Sequence, residues 1–242
     1  MLYAYCVTRT GTESPRNLTG LFDREVYAIE AGELSAFVSE VSEKHVAVSK
    51  HSVLTHQKVV GSVLDATTPL PFRFGTIVNE PDLSSYLGSR QNSLLEKLGA
   101  VDSCVEMSVK VIWQKSRADG RAATDPNEAV EASSVGTEFL RKKSAELVGS
   151  QHLIEEANEL AAWLENYLGS SVRQVQMTVR PAERLVLAAD CLVARVQLNE
   201  YESAVEAARA ERPELHFLTS GPWAPYSFAN IDLEFKSQFG VS

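Results

Sequence analysis

Apolar residues fall in blocks of two kinds, alternating with polar ones or recurring every three to four positions, and the blocks are separated by proline, glycine and short polar runs. Leu2 to Val7, Val26 to Glu30 and Leu34 to Val41 read as strands, the last two joined across Ala31-Gly32-Glu33 as a hairpin. Val53, Leu54, Val60, Val63 and Leu64 predict a helix over Ser52 to Asp65 with one apolar face. Pro69 and Pro71 end it, because proline lacks an amide donor and drives its predecessor toward extended geometry, and Phe72 to Val78 then reads as a strand. The next helix has Pro81 in its first turn, Leu83, Leu87, Leu94, Leu95 and Leu98 along one side, and Gly99 as its left-handed close. From Val101 to Trp113 the pattern is a clean alternation. Val101, Val105, Met107, Val109, Val111 and Trp113 face a core, and Asp102, Glu106, Ser108 and Lys110 face water.

The interval from Ser116 to Ser134 is the least hydrophobic and separates two segments of unlike pattern, so the domain boundary is expected there. Beyond it, Leu147, Ile154, Ala157, Ala161, Leu164 and Leu168 predict a helix from about Gly136 to Leu168. Leu153, Leu160 and Tyr167 widen its stripe beyond a coiled-coil seam, so the helix is expected to pack across a sheet. Val172 to Val179 and Leu185 to Val196 read as strands, and Asn199 with Glu202 as a capping box opening a helix through Tyr201, Val205 and Ala208. Leu215 to Leu218 makes a last strand, and Ile231, Leu233 and Phe235 alternate as a strand would. The expected class is α+β: a domain over 1–115, a linker over 116–134, a domain over 135–220 opened by the long helix, and a strap and tail over 221–242. No repeat with shared residues relates the halves, so any likeness between them is architectural.

A chain of 242 residues with 44% hydrophobic and 23% charged residues builds its own core without a metal or disulfide staple. Its net charge of −9 opposes the basic footprint of nucleic-acid or anionic-membrane binding. Cys6, Cys104 and Cys191 are too scattered for a zinc cluster or a disulfide framework and suit a reducing cytosol. With no signal peptide and no long apolar run, a soluble cytoplasmic protein is expected.

Catalytic signatures are absent from the sequence. The closest pair of glycines is Gly11 and Gly20, which removes GxGxxG, GxxxxGK and GxSxG together, since each needs closer glycines to bring backbone amides to a phosphate or to expose a nucleophile. His45, His51 and His56 lack the three- or four-residue spacing of helical metal ligands and read as solvated or capping histidines near a helix start. Asp190 interrupts an apolar strand and is expected to pair with Arg173 or Arg195 or to sit on an exposed face. Glu155-Glu156 and the basic run Arg141-Lys142-Lys143 read as solvated faces. No catalytic, metal or cofactor residue is assigned.

Two local constellations stand out. Pro69-Leu70-Pro71-Phe72-Arg73-Phe74-Gly75-Thr76 is a rigid aromatic run with an arginine between two phenylalanines. It suits core packing with Arg73 satisfied by a carboxylate across a domain contact, or a partner groove. Gly221-Pro222-Trp223-Ala224-Pro225-Tyr226-Ser227-Phe228 holds three aromatics in a segment its prolines should keep extended, either a strap packed back between the domains or an exposed anchor. Arg73, Phe74, Gly75, Gly221, Pro222, Trp223, Pro225, Tyr226 and Phe228 are therefore the candidate interaction or domain-interface residues.

At these motifs the chain resembles the gas vesicle protein GvpF/GvpL family. Leu70 to Thr76 match its LPxRFGT and Gly221 to Phe228 its GPWxPYSF, with Ala224 where the family usually carries proline. The Tyr-rich first strand, Leu34 to Val41 and His56 before the turn extend the likeness over nearly the whole chain. The resemblance implies a ferredoxin-like N-terminal domain and a second α+β domain, a ferredoxin-like variant. It also implies a non-enzymatic accessory role in making gas vesicles, acting on the hydrophobic shell protein GvpA and perhaps on other accessory proteins, with no cofactor and no small-molecule substrate. Two other readings stand beside it: a minor structural component retained in the shell, and an enzyme with an unrecognised cleft at Asp190 or Arg73.

Overall fold

Leu2–Arg9 form strand β1, and every residue from Leu2 to Thr8 is buried. A strand covered on both faces carries no polar alternation, hence the near-continuous apolar run. Val26–Ala31 (β2) and Leu34–Glu40 (β3) make the expected hairpin, turning at Gly32 with φ +62°, a conformation that favours glycine. The structure, a computed structural model, describes residues 1–12, 18–113, 154–179 and 185–231. The linker over 116–134, the start of the long helix, the Arg141-Lys142-Lys143 run and the alternation beyond Ile231 lie outside the described residues.

In the first sheet β3 pairs antiparallel with β1 from Leu2 opposite Glu40 to Arg9 opposite Leu34, with one register shift between Ala4 and Cys6. Leu70–Pro71 (β4) and Ile77–Val78 (β5) both pair with β1, giving the order β2-β3-β1-β4. Of the strand expected over Phe72 to Val78, only Ile77–Val78 forms as β5; β4 ends before it at Pro71, and a tight turn lies between. Gly75 has φ +89°, and the Thr76 amide donates to the Arg73 carbonyl at 3.2 Å, closing the loop that a continuous strand would have left open.

Helix α1 (Lys50–Ala66) is opened by a capping box in which Ser49 and Ser52 each bond the other's amide. Its buried face is Ser52, His56, Val59, Val60, Val63 and Leu64, whereas Val53 and Leu54 are exposed, so the stripe is rotated from the expected one and includes the histidine. The next helix divides at Arg90 into α2 (Glu80–Ser89), with Pro81 in its first turn, and α3 (Gln91–Val101). Gly99 does not close it. Burial of Leu98 and Val101 carries the helix past Gly99 to Val101, and the left-handed residue is Ser103.

Cys104–Trp113 form β6, residues 154–168 α4, Gln174–Val179 β7, Leu185–Ala194 β8, Leu198–Glu211 α5 and Leu215–Trp223 β9. The second sheet has the order β7-β8-β6-β9. Read in chain order, this is strand, helix, strand, strand, helix, strand with the fourth strand beside the first, the ferredoxin-like arrangement. The first sheet has the same order, with α1 before its fourth strand and only a short turn at Leu21–Asp23 in the described part of its first connection. Ala157, Leu160, Leu164 and Leu168 of α4 supply the second core together with Leu187, Ala189, Cys191 and Val193 of β8 and Tyr201, Val205 and Ala208 of α5. Asn199 and Glu202 form no capping box: a 3-10 turn at Arg195–Gln197 runs straight into α5, so no extended residue precedes the helix to act as its cap.

Two units result. One contains Met1–Glu106 together with the chain from Gly221 onward, and the other contains Met107–Ser220. The last strand continues past Leu218 to Trp223, and Tyr226–Ala229 then form a helical turn, α6, where an extended strap was expected.

Candidate functional site

In the first unit, Tyr3 and Tyr5 stand two apart on β1 and so share a face, against which α1 lays His56. The three rings meet with His56 5.7 Å from each tyrosine and the tyrosines 4.9 Å from one another. Phe74, from the turn between β4 and β5, closes the group edge-on at 5.8 Å from His56 and 6.2 Å from Tyr3. The same turn sends its Gly75 amide to the Tyr3 hydroxyl at 3.0 Å.

The C-terminal segment completes the cluster. Tyr226 of α6 places its hydroxyl 3.0 Å from His56 Nε2, while Tyr3 Oη lies 3.0 Å from His56 Nδ1. A neutral imidazole donates through one nitrogen only. Gly75 already donates to the Tyr3 oxygen, so the fully buried Tyr3 keeps its own proton satisfied by donating to Nδ1, which leaves the Nε2 proton for Tyr226. Burial lowers the His56 pKa from 6.5 to about 4, and it raises those of Tyr3, Tyr5 and Tyr226. The ring is therefore neutral at pH 7 and acts as a two-ended connector between β1 and α6.

A second tie lies alongside. Glu106, expected on a wet face, is only 5% exposed, and its carboxylate accepts the Ser227 amide at 2.7 Å and the Ser227 hydroxyl at 2.9 Å. Charge-assisted bonds of this kind are the strong ones, and they offset the cost of burying the carboxylate. Tyr5 is fixed in turn by Ser39 Oγ at 2.9 Å and by the Leu21 amide at 2.9 Å.

The two motifs singled out in the sequence thus meet in one unit. Phe74 and Gly75 enter the cluster from one side and Tyr226 from the other, while Pro225 is buried and receives the Ala229 amide on its carbonyl at 2.8 Å. Gly221 and Phe228 are half-buried. Arg73 and Pro222 are exposed, and so is Trp223 at 37%, whereas Ala224 beside it is buried. The solvated reading of His56 is corrected by its burial; His45 and His51 are exposed. In the second unit Asp190 accepts from Ser108 Oγ at 2.7 Å. Sequence reasoning left Glu106 and the Tyr3-Tyr5 pair outside the candidate set. Two hydroxyl-bearing rings two apart in a fully apolar strand were the signal available for the tyrosines; nothing local marked Glu106, whose partner is 121 positions away.

Among the described residues no group of His, Cys, Asp and Glu is arranged to hold a metal ion, and no helix is long and apolar enough to cross a membrane. The cluster spends its polar atoms on one another. A family model described as gas vesicle synthesis protein GvpL/GvpF matches residues 1–230. The chain belongs to that family. Among its GvpL/GvpF relatives, gas vesicle protein L2 of Halobacterium salinarum is 28% identical, with 94% of this chain and 90% of that protein covered. Gas vesicle protein F of a Streptomyces species is 26% identical over 93% and 98%. The fold is that of solved GvpF structures. The protein from Anabaena sp. PCC7120 superposes with a TM-score of 0.74 at 22% identity over 96% of both chains, and that from Microcystis aeruginosa with 0.74 at 19% over 95% and 99%.

Proposed function

We propose that this GvpL/GvpF member is a non-enzymatic assembly factor, acting in the cytoplasm at the gas vesicle. It binds the hydrophobic shell protein GvpA, alone or with other accessory proteins, and assists nucleation or assembly of the wall. The observation that carries the reading is the family match across residues 1–230. The geometry supports it: His56, Tyr3, Tyr226 and Glu106 are engaged with groups of the chain itself, which favours a structural task for the motifs and a function carried by the surface. Arg73, Pro222 and Trp223 are motif side chains that reach solvent, and they are candidates for partner contact.

A very apolar subunit at high concentration aggregates unless its sticky face is covered before it joins a wall. A net charge of −9 keeps such a complex dispersed. Co-expression with tagged GvpA tests the proposal: a recovered complex, and loss of buoyant vesicles on deletion of the gene, are the expected results. No complex together with unchanged vesicles overturns it. Immunoblots of washed vesicles separate a departing factor, which is the expectation, from a component retained in the shell.

A further inference from the structure

We draw no further inference here: the strongest candidate, the outer edge of β7, which ends the second sheet and is uncharged from Gln174 to Val179, carries nothing, since nothing in the structure shows what covers it.

Discussion

His56 is the residue on which most of the cluster turns, and its charge state gives a pH signature. The unfolded histidine takes up a proton below about pH 6.5, but the folded one resists until about pH 4, because burial penalises the cation and because a doubly protonated ring would leave the Tyr3 hydroxyl proton without its acceptor. Between those values the unfolded state binds more protons, so stability rises with pH across this window and is lost on acidification. At one pKa unit per 1.36 kcal/mol the loss from pH 7 to pH 4 is about 3 kcal/mol from this residue. Urea titrations at both pH values should show that difference between the wild type and His56→Gln, whose side chain does not titrate. Equal slopes for the two would mean that the ring is not held neutral by burial. Glu106 makes a separate prediction. Glu106→Ala strips Ser227 of two bonds to a buried charge, at a cost of about 2–3 kcal/mol. Hydrogen exchange at residues 226–229 should then accelerate more than at the centre of β1.

At the scale of elements, the segment after β9 carries a clear contrast. Trp223 is a third exposed, so its removal forfeits only part of a buried indole: Trp223→Ala should cost under about 2 kcal/mol, well short of the loss for a fully buried tryptophan. Its neighbour Ala224 is the buried one, and Ala224→Leu should cost about 1–3 kcal/mol by overpacking. Thermal melts of the two variants rank the positions, and the reverse order would mean that the segment packs through its tryptophan.

Periodicity located nearly every described element, because the alternation over Met107 to Val111 in β6 and the 3–4 spacing in α3 to α5 follow directly from a single buried face, while the apolar run of β3 marks a strand covered on both. It failed where local geometry overrides pattern. Gly75 turned an apolar run into two strands, buried Val101 carried α3 past Gly99, and the 3-10 turn before Leu198 removed the expected cap. The motifs were legible, but their meeting was not. Tyr226 and His56 are 170 positions apart, and nothing in either segment specifies the other.

For the whole molecule, the consequence is that the first unit is discontinuous in sequence: it takes Met1–Glu106 and then the chain from Gly221, with the second unit between them. A cut within 116–134, the natural place to divide the chain by composition, therefore gives an N-terminal half without α6. That half keeps Glu106 and His56 and loses Ser227 and Tyr226, and it uncovers the surface buried by Ala224, Ala229 and Ile231. A fragment of residues 1–106 should be less stable, by about 3–5 kcal/mol, than the same fragment joined through a flexible Gly/Ser linker to residues 221–231, since the Ser227 bonds to Glu106, the Tyr226 bond to His56 and the burial of Ala224, Ala229 and Ile231 are lost together. Urea unfolding of the two fragments, followed by tyrosine fluorescence, measures the difference directly. Identical midpoints would show that the first unit closes without its C-terminal return. A difference of the expected size would mean that a GvpL/GvpF chain finishes its first unit only after the second has been synthesised, so that truncation near the C-terminus damages the sheet begun at residue 2.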